Sequence, residues 1–272
     1  MLQRIVHDNG LITYQSPLLR QIGVPHAFST RVGGISRDPF ATLNLAVGEK
    51  ISGGDAPTNI AENFRRLRRA IGAERYIRIE AKQVHGADVW VAPETPVRLR
   101  EAPCADAIVT DLPGRLLTVR VADCVPVLLS DSSGTKVGVV HVGWRGVIGR
   151  VVQAATEKLV KQFCCLPHDL NAAIGPCIGR EHFEVGPDVA QEFDQASLGV
   201  TVIASPGTRP RLDLAGAVAI QLEVSGLNRL QIDRTDRCTY RDADEFFSHR
   251  RDRGVTGRMA AVIARKGGVS NS

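Results

Sequence analysis

One stretch constrains this chain more than any other: Ala122-Asp-Cys-Val-Pro-Val-Leu-Leu-Ser-Asp-Ser-Ser-Gly-Thr-Lys-Val-Gly-Val-Val-His-Val-Gly-Trp-Arg-Gly146. Two apolar runs, Val125 to Ser130 and Val137 to Val142, flank Asp131-Ser-Ser-Gly134, whose residues are those of a hairpin turn. The stretch therefore predicts two paired antiparallel strands, with a thiol opening the first and an imidazole closing the second. With Ser132 and Ser133 as the loop, Cys124 stands directly opposite His141 on one face, β-carbons about 5 Å apart. Moving the loop to Ser133-Gly134 makes the pair diagonal and keeps it within reach. Pro126, early in the first run, predicts an edge strand or a bulge, where side chains are re-aimed.

The 272 residues suffice for a full core in one large domain or two small ones, and 43% hydrophobic with 23% charged residues is ordinary globular composition. The net charge of +5 gathers in short clusters such as Arg65-Arg66, Arg68-Arg69 and Arg250-Arg251, which mark solvated faces or anion sites. No aromatic-studded basic strand is present, so a nucleic-acid partner is not expected. The cysteines are Cys104, Cys124, Cys164, Cys165, Cys177 and Cys238, with no C-x-x-C pair. The N-terminus has neither a signal-like core nor a spanning helix, so reduced thiols, no membrane contact and a soluble cytoplasmic protein are expected.

In chain order, short β-like runs end at His26-Ala-Phe28, followed by Ser29-Thr-Arg-Val-Gly-Gly-Ile-Ser36. Arg31 beside paired glycines reads either as an oxyanion wrap or as an ordinary glycine turn. Leu43-Asn-Leu45 is a short extended piece in which Asn44 could face a site. Loop Ser52–Pro57 leads to a helix capped by Thr58 and running to about Ile71, with Ile60, Phe64, Leu67 and Ile71 on its apolar stripe. In Ala81 to Val91, Gln83 and His85 would share one face of a strand. Strands at 105–111 and 116–121 join through Leu112-Pro-Gly-Arg115, and the second runs straight into Cys124. After His141, Gly143-Trp-Arg-Gly146 turns into a helix from Val147 to about Phe163, its core side formed by Val147, Val151, Ala154, Ala155, Leu159 and Val160. That turn brings Arg145 and free backbone N–H groups together, which favours an anion. A strand from Ala172, a helix through Phe193, an exposed loop over 204–210, an amphipathic helix opened by Leu212-Asp-Leu214 and running to about Ser225, and a strand Met259 to Ala264 complete the chain. The alternation predicts a single α/β domain over residues 1–272, a mixed sheet with flanking helices. There is no G-x-G-x-x-G or P-loop motif.

His85, Cys124 and His141 form a two-nitrogen, one-sulfur set that suits zinc, with copper as the alternative, and three protein ligands leave a fourth position for water or substrate. The rival reading of the same residues is a thiol nucleophile with His141 as its base and no metal.

The motifs Ser29-Thr-Arg-Val-Gly-Gly, Leu43-Asn-Leu, Gln83-Val-His-Gly, Ala122-Asp-Cys-Val-Pro, His141-Val-Gly-Trp-Arg-Gly, Gly175-Pro-Cys-Ile-Gly, Phe183-Glu-Val-Gly, Asp236-Arg-Cys-Thr-Tyr and Phe247-Ser-His-Arg-Arg-Asp with Gly257-Arg-Met resemble the YfiH/laccase-domain family of purine nucleoside phosphorylases. The resemblance covers nearly the whole chain in order. It implies an α/β fold related to the catalytic domain of cytotoxic necrotizing factor toxins and a zinc held by His85, Cys124 and His141. It also implies phosphorolysis of adenosine, inosine and S-methyl-5′-thioadenosine, adenosine deamination, and in an older reading copper-dependent polyphenol oxidation. His249 stands where the family pattern leads us to expect Tyr, and Val142 where Ala is usual. For such chemistry Cys124, His141, His85 and Arg145 are the expected catalytic residues. Arg31, Arg145 and Arg250 are expected on phosphate and Asn44 and Gln83 on ribose or base. A monomer or homodimer is expected, with purine nucleosides and phosphate as its partners.

Overall fold

Period-two alternation does most of the building. The computed structural model describes residues 1–46, 54–204 and 206–267. In chain order its elements are β1 (Gln3–Val6), β2 (Ile12–Gln15), α1 (Pro17–Ile22), β3 (His26–Ser29), α2 (Pro57–Ala70), β4 (Ile77–Ile79), β5 (Val89–Val91), β6 (Ala107–Thr110), β7 (Arg115–Val121), β8 (Val125–Asp131) and β9 (Val137–Val142). These are followed by α3 (Trp144–Ile148), α4 (Val151–Phe163), β10 (Leu170–Ile174), α5 (Pro187–Gln195), β11 (Val202–Ile203), β12 (Arg211–Leu212), α6 (Leu214–Val224), β13 (Ile232–Asp233) and β14 (Met259–Ile263). The expected loop at 52–57 begins outside the described residues, as does Ser205 of the loop at 204–210.

Among the described residues the strands form two six-stranded mixed sheets, ordered β1-β2-β3-β14-β7-β4 and β13-β10-β8-β9-β6-β5, beside the small pair β11-β12. The central strands of both large sheets bury both faces. In β8, Val125, Val127 and Leu129 face one core and Leu128 another; in β9, Val140 and Val142 oppose Val137 and Val139. In β7, Leu116 is separated from Leu117, Val119 and Val121, and β14 divides Ala260 and Val262 from Met259, Ala261 and Ile263. Three cores result: α2 on the first sheet, the two sheets on each other, and α3 to α6 on the second sheet. Each fully buried Leu, Val or Ile contributes about 1.5–3 kcal/mol by leaving water, so this layering, not helix propensity, holds the fold.

The expected single mixed sheet is thus corrected to two stacked ones. Periodicity shows that a strand has two faces but not which sheet it joins, and the Leu112-Pro-Gly-Arg115 turn passes from the second sheet to the first instead of closing a hairpin. Pro126 does not mark an edge, because β8 lies between β10 and β9. Its missing donor is tolerated because β10 ends at Ile174 opposite Val127, one residue short of it.

Local differences have equally plain causes. Helix α2 starts at Pro57 with Ala56 as its cap, not at Thr58, since proline's fixed φ suits the first helical position. The helix expected from Val147 breaks after Ile148, where Arg150 adopts φ +59°, and resumes at Val151. On its core side Val152 and Thr156 are buried, while Ala154 and Val160 are only half-buried.

Candidate metal and nucleoside site

The β8–β9 hairpin takes the diagonal register. Val125 pairs with Val142 and Pro126 with His141, so Cys124 lies diagonal to His141 rather than opposite it. The loop is longer than a two-residue turn because the Asp131 carboxylate accepts from the N–H groups of Thr135 and Lys136 at 2.8 and 3.0 Å, and the ladder closes at Asp131–Lys136. His141 shares the inter-sheet face of β9 with Val137 and Val139 and is 3% exposed.

Cys124 ends the link Ala122-Asp123-Cys124, by which the chain leaves β7 in the first sheet and enters β8 in the second. His85 lies in the other link of this kind, between β4 and β5. The expected strand carrying Gln83 and His85 is absent: this segment is an open loop in which His85 sits at φ +60°. Such a backbone costs of order 1–3 kcal/mol for a residue other than glycine and persists only when its surroundings fix it. Here Asp106 fixes it. Its carboxylate accepts from the N–H groups of Val84, His85 and Gly86 at 3.1, 3.0 and 2.7 Å, and from Nδ1 of His141 at 2.7 Å.

The result is a convergent triangle. The ligand atoms of His85, Cys124 and His141 lie within 4.8 Å of one another, and the two imidazoles meet edge to face with centroids 4.8 Å apart. Gly143 leaves the room this needs: a side chain there would press on the His85 ring at 2.8 Å. The donor set fits a single soft or borderline ion. Asp106 holds the Nδ1 proton of His141, so Nε2 faces the triangle, the carboxylate–histidine arrangement common at metal centres. Burial pushes the Cys124 thiol up, but the His141 charge and hydrogen bonds from both histidines outweigh it and bring the thiol down to about 6. Burial works against the His141 charge, and the Cys124 thiolate and Asp106 overcome it, raising the imidazole to about 9. These residues therefore present a thiolate at neutral pH, the form that binds metal.

The triangle forms part of the wall of a cavity of about 840 Å³. Arg145 lines it from the first turn of α3, with its guanidinium 4.4 Å from the Trp144 ring. Arg250 lines it too, 5.2 Å from the Phe183 ring, and its N–H donates to Asp123 at 2.7 Å. Ile178, Phe183 and Leu214 give an apolar wall, and His249 stands on the same cavity.

Three residues expected at substrate do other work. Arg31 donates through Nε to the Ala41 carbonyl at 2.7 Å and through a terminal nitrogen to that of Ala243 at 3.2 Å, and it covers the Phe247 ring. It does not line the cavity. The adjoining Gly33 and Gly34 are needed because side chains there would strike the Leu11 backbone and the Thr42 carbonyl. This is the ordinary glycine turn, not an anion wrap. Asn44 is 1% exposed, accepts from the N–H groups of Ala46 and Arg258 at 3.1 and 3.0 Å, and donates to Asp55. Gln83 reaches the cavity wall, but both ends of its amide clamp the Arg120 backbone at 2.8 Å.

Asp106 and Asp123 escaped sequence reading. The signal for Asp106 was a carboxylate opening the buried run Ala107–Thr110, where a charge without partners would be prohibitive. Asp123, at φ +90°, accepts from Thr239 at 2.6 Å as well as from Arg250.

Fold and site together define a class: a layered α/β protein with a His/Cys/His cluster able to hold a metal ion at the seam of two sheets. Residues 25–266 match the family described as multi-copper polyphenol oxidoreductase laccase, and the chain belongs to this family. It is 43% identical to a purine nucleoside phosphorylase of Deinococcus radiodurans over 91% of this chain and 92% of that protein. It is 36% identical to the Escherichia coli purine nucleoside phosphorylase YfiH over 89% and 93% of the two chains. Among solved structures, the Bacillus licheniformis hypothetical protein YfiH superposes with a TM-score of 0.86 at 26% identity, covering 97% and 99% of the chains. YlmD from Geobacillus stearothermophilus gives 0.81 at 30% identity, covering 98% and 99%. The resemblance seen in the motifs is therefore borne out.

Proposed function

We propose that the chain, acting as one domain in monomeric or dimeric form, is a purine nucleoside phosphorylase for adenosine, inosine and S-methyl-5′-thioadenosine with adenosine deaminase activity. The observation that carries this reading is the convergence of His85, Cys124 and His141 on a cavity lined by arginines and aromatic rings. His85, Cys124 and His141 would hold zinc, with copper as the alternative; such an ion supplies Lewis acidity and acidifies water. Phosphorolysis breaks the bond from C1′ to the purine nitrogen and forms one from C1′ to a phosphate oxygen, and the departing base takes up a proton. Arg145 and Arg250 bind phosphate, since a guanidinium grips two of its oxygens and stays charged. Trp144, Phe183 and Ile178 receive the flat base and exclude water from it. Asp106 keeps the His141 proton on Nδ1. Metal-replete protein incubated with adenosine and phosphate should release adenine and ribose 1-phosphate, and deamination should yield inosine. If no purine nucleoside gives a phosphate-dependent product, the reading is wrong.

A second reading draws on one specific observation: Cys124, His141 and Asp106 also form a thiolate, base and orienting-acid series, as in a metal-free hydrolase or deamidase. The expected kinship with necrotizing factor toxins supports the same idea. Stoichiometric zinc that is lost in His85→Ala, together with nucleoside activity that requires it, would sink this alternative. Copper-dependent polyphenol oxidation draws support only from the family's description. The described residues hold one potential metal cluster, and multicopper electron transfer needs more.

A further inference from the structure

Phosphorolysis moves one proton that the phosphate-binding arginines cannot supply, because a guanidinium does not release its own. The electron pair of the N9–C1′ bond stays with the purine, and a proton delivered as the bond lengthens lowers the cost of that departing charge. The cavity wall offers few groups able to deliver it. His85, Cys124 and His141 converge as ligands, and the His141 Nδ1 proton is held by Asp106. Both Asp123 oxygens already accept, one from Thr239 and one from the Arg250 N–H. Lys82 and His249 remain, and imidazole is the side chain suited to giving and retaking a proton near neutrality.

The turn that carries His249 is pinned to the metal link. The N–H of Arg250, next in sequence, donates to Asp123 at 2.7 Å, and Asp123 precedes Cys124. The Asp123 carbonyl accepts from the Ile178 N–H at 2.9 Å, and the Arg250 guanidinium lies 5.2 Å from the Phe183 ring. The turn therefore abuts both the triangle and the apolar wall. Within it, Ser248 is buried and accepts from the N–H groups of Arg251 and Asp252, and the Gly254 N–H closes on the His249 carbonyl at 2.9 Å. The His249 ring packs over Gly254, where an added β-carbon would stand 3.4 Å from it. Neither ring nitrogen has a hydrogen-bond partner among the described residues, and His249 is exposed where it lines the cavity. An imidazole held by its backbone, with uncommitted nitrogens and solvent within reach, can hand a proton inward and recover one from water.

We propose that His249 is the general acid of phosphorolysis, its protonated ring giving a proton to N7 of the departing purine. This deepens the phosphorylase reading and rests on it. As the N9–C1′ bond breaks, its electron pair passes to the purine, N7 takes the imidazole proton, and C1′ bonds to an oxygen of hydrogen phosphate. The proton that the phosphate sheds on becoming ribose 1-phosphate restores the ring through solvent, so no further reactant is consumed.

Inosine and 7-methylinosine separate this role from others, because a purine made cationic by its N7 methyl group leaves without taking a proton. In the zinc-loaded chain, His249→Ala should slow single-turnover phosphorolysis of inosine about 100-fold or more, and that of 7-methylinosine by less than about threefold. His249→Gln keeps a hydrogen-bond donor that cannot transfer its proton, and it should be as slow on inosine as His249→Ala. Lys82→Gln should leave the ratio of the two substrates unchanged. Equal losses on both substrates, recovery in His249→Gln, or the leaving-group signature in Lys82→Gln instead overturns the proposal. If the cavity refuses the methyl group, the solvent deuterium isotope effect on cleavage of the preferred nucleoside decides. An effect present in the wild type and absent in His249→Ala supports the general acid, and one equal in both overturns it. Unimpaired phosphorolysis in His249→Ala removes the acid and leaves the phosphorylase, whereas a wild-type chain with no phosphate-dependent product from any purine nucleoside fails the phosphorylase reading itself.

Discussion

Arg31 and Arg145 stand in similar settings. Each follows a strand, β3 or β9, and each has glycines close by that let the backbone turn. In the fold, Arg31 faces the carbonyls of Ala41 and Ala243 and gives its charge to them, whereas Arg145 is exposed on the cavity against the Trp144 ring. What separates them is the presence of carbonyls from segments 10 and 212 residues away. An arginine's availability is therefore set by its distant neighbours, and the local spacing that made both look like anion sites carries none of that information.

The contrast is open to direct attack. Arg145→Ala should lower kcat/KM for phosphorolysis by about 100–1000-fold, with unfolding free energy unchanged to within about 0.5 kcal/mol. Arg31→Ala should do the reverse. The loss of two charge-assisted bonds and a ring contact costs about 2–4 kcal/mol in denaturant titrations, and the folded fraction keeps its activity. Activity loss in Arg31→Ala without loss of stability would erase the distinction.

A smaller effect is expected one step behind the triangle. Asp106→Asn puts an amide where four donors converge, and metal affinity measured by chelator competition should fall about 10–100-fold. Retained affinity would mean that His85 and His141 need no support. Gly143→Ala should weaken binding as well, through its pressure on the His85 ring.

The mildest test is a titration. In metal-free protein the depressed Cys124 thiol stabilises the fold in full above the ordinary thiol range, and that contribution is lost as pH falls through about 6. The raised His141 contributes fully below its ordinary 6.5 and loses its effect as pH rises through about 9. Alkylation of Cys124, followed by mass spectrometry of its peptide, should therefore show a midpoint near 6 instead of about 8.5. Bound zinc should suppress it. A midpoint in the ordinary range would remove the thiolate–imidazolium pair from the account.

How much could be read in advance follows the same division between local and distant. The hairpin strands, the α2 stripe of Phe64 and Leu67 and the strand at Met259 are local patterns, and they emerge nearly where periodicity puts them. The convergence of Cys124 with His141 depends only on a turn a few residues long, and both registers that the turn allows, the observed diagonal one included, leave them neighbours. Asp106 lay out of reach because its role is defined by a loop 20 residues earlier and a strand 35 residues later. Gln83 and Asn44 were polar residues in plausible places, and nothing nearby showed that the backbones of Arg120 and Arg258 would claim them.

The two links that carry His85 and Cys124 both step from the first sheet to the second, while His141 belongs to the second outright. Residues such as Phe28, Ala173 and Ala261, buried between the sheets and far in sequence from any of the three, thus set how the two slabs slide over each other. A variant that repacks this filling would shear the donor triangle without touching it. Selection on metal affinity would then act on an oily interior as well as on the ligands, and changes in the core could tune the chemistry while every residue at the site stays the same.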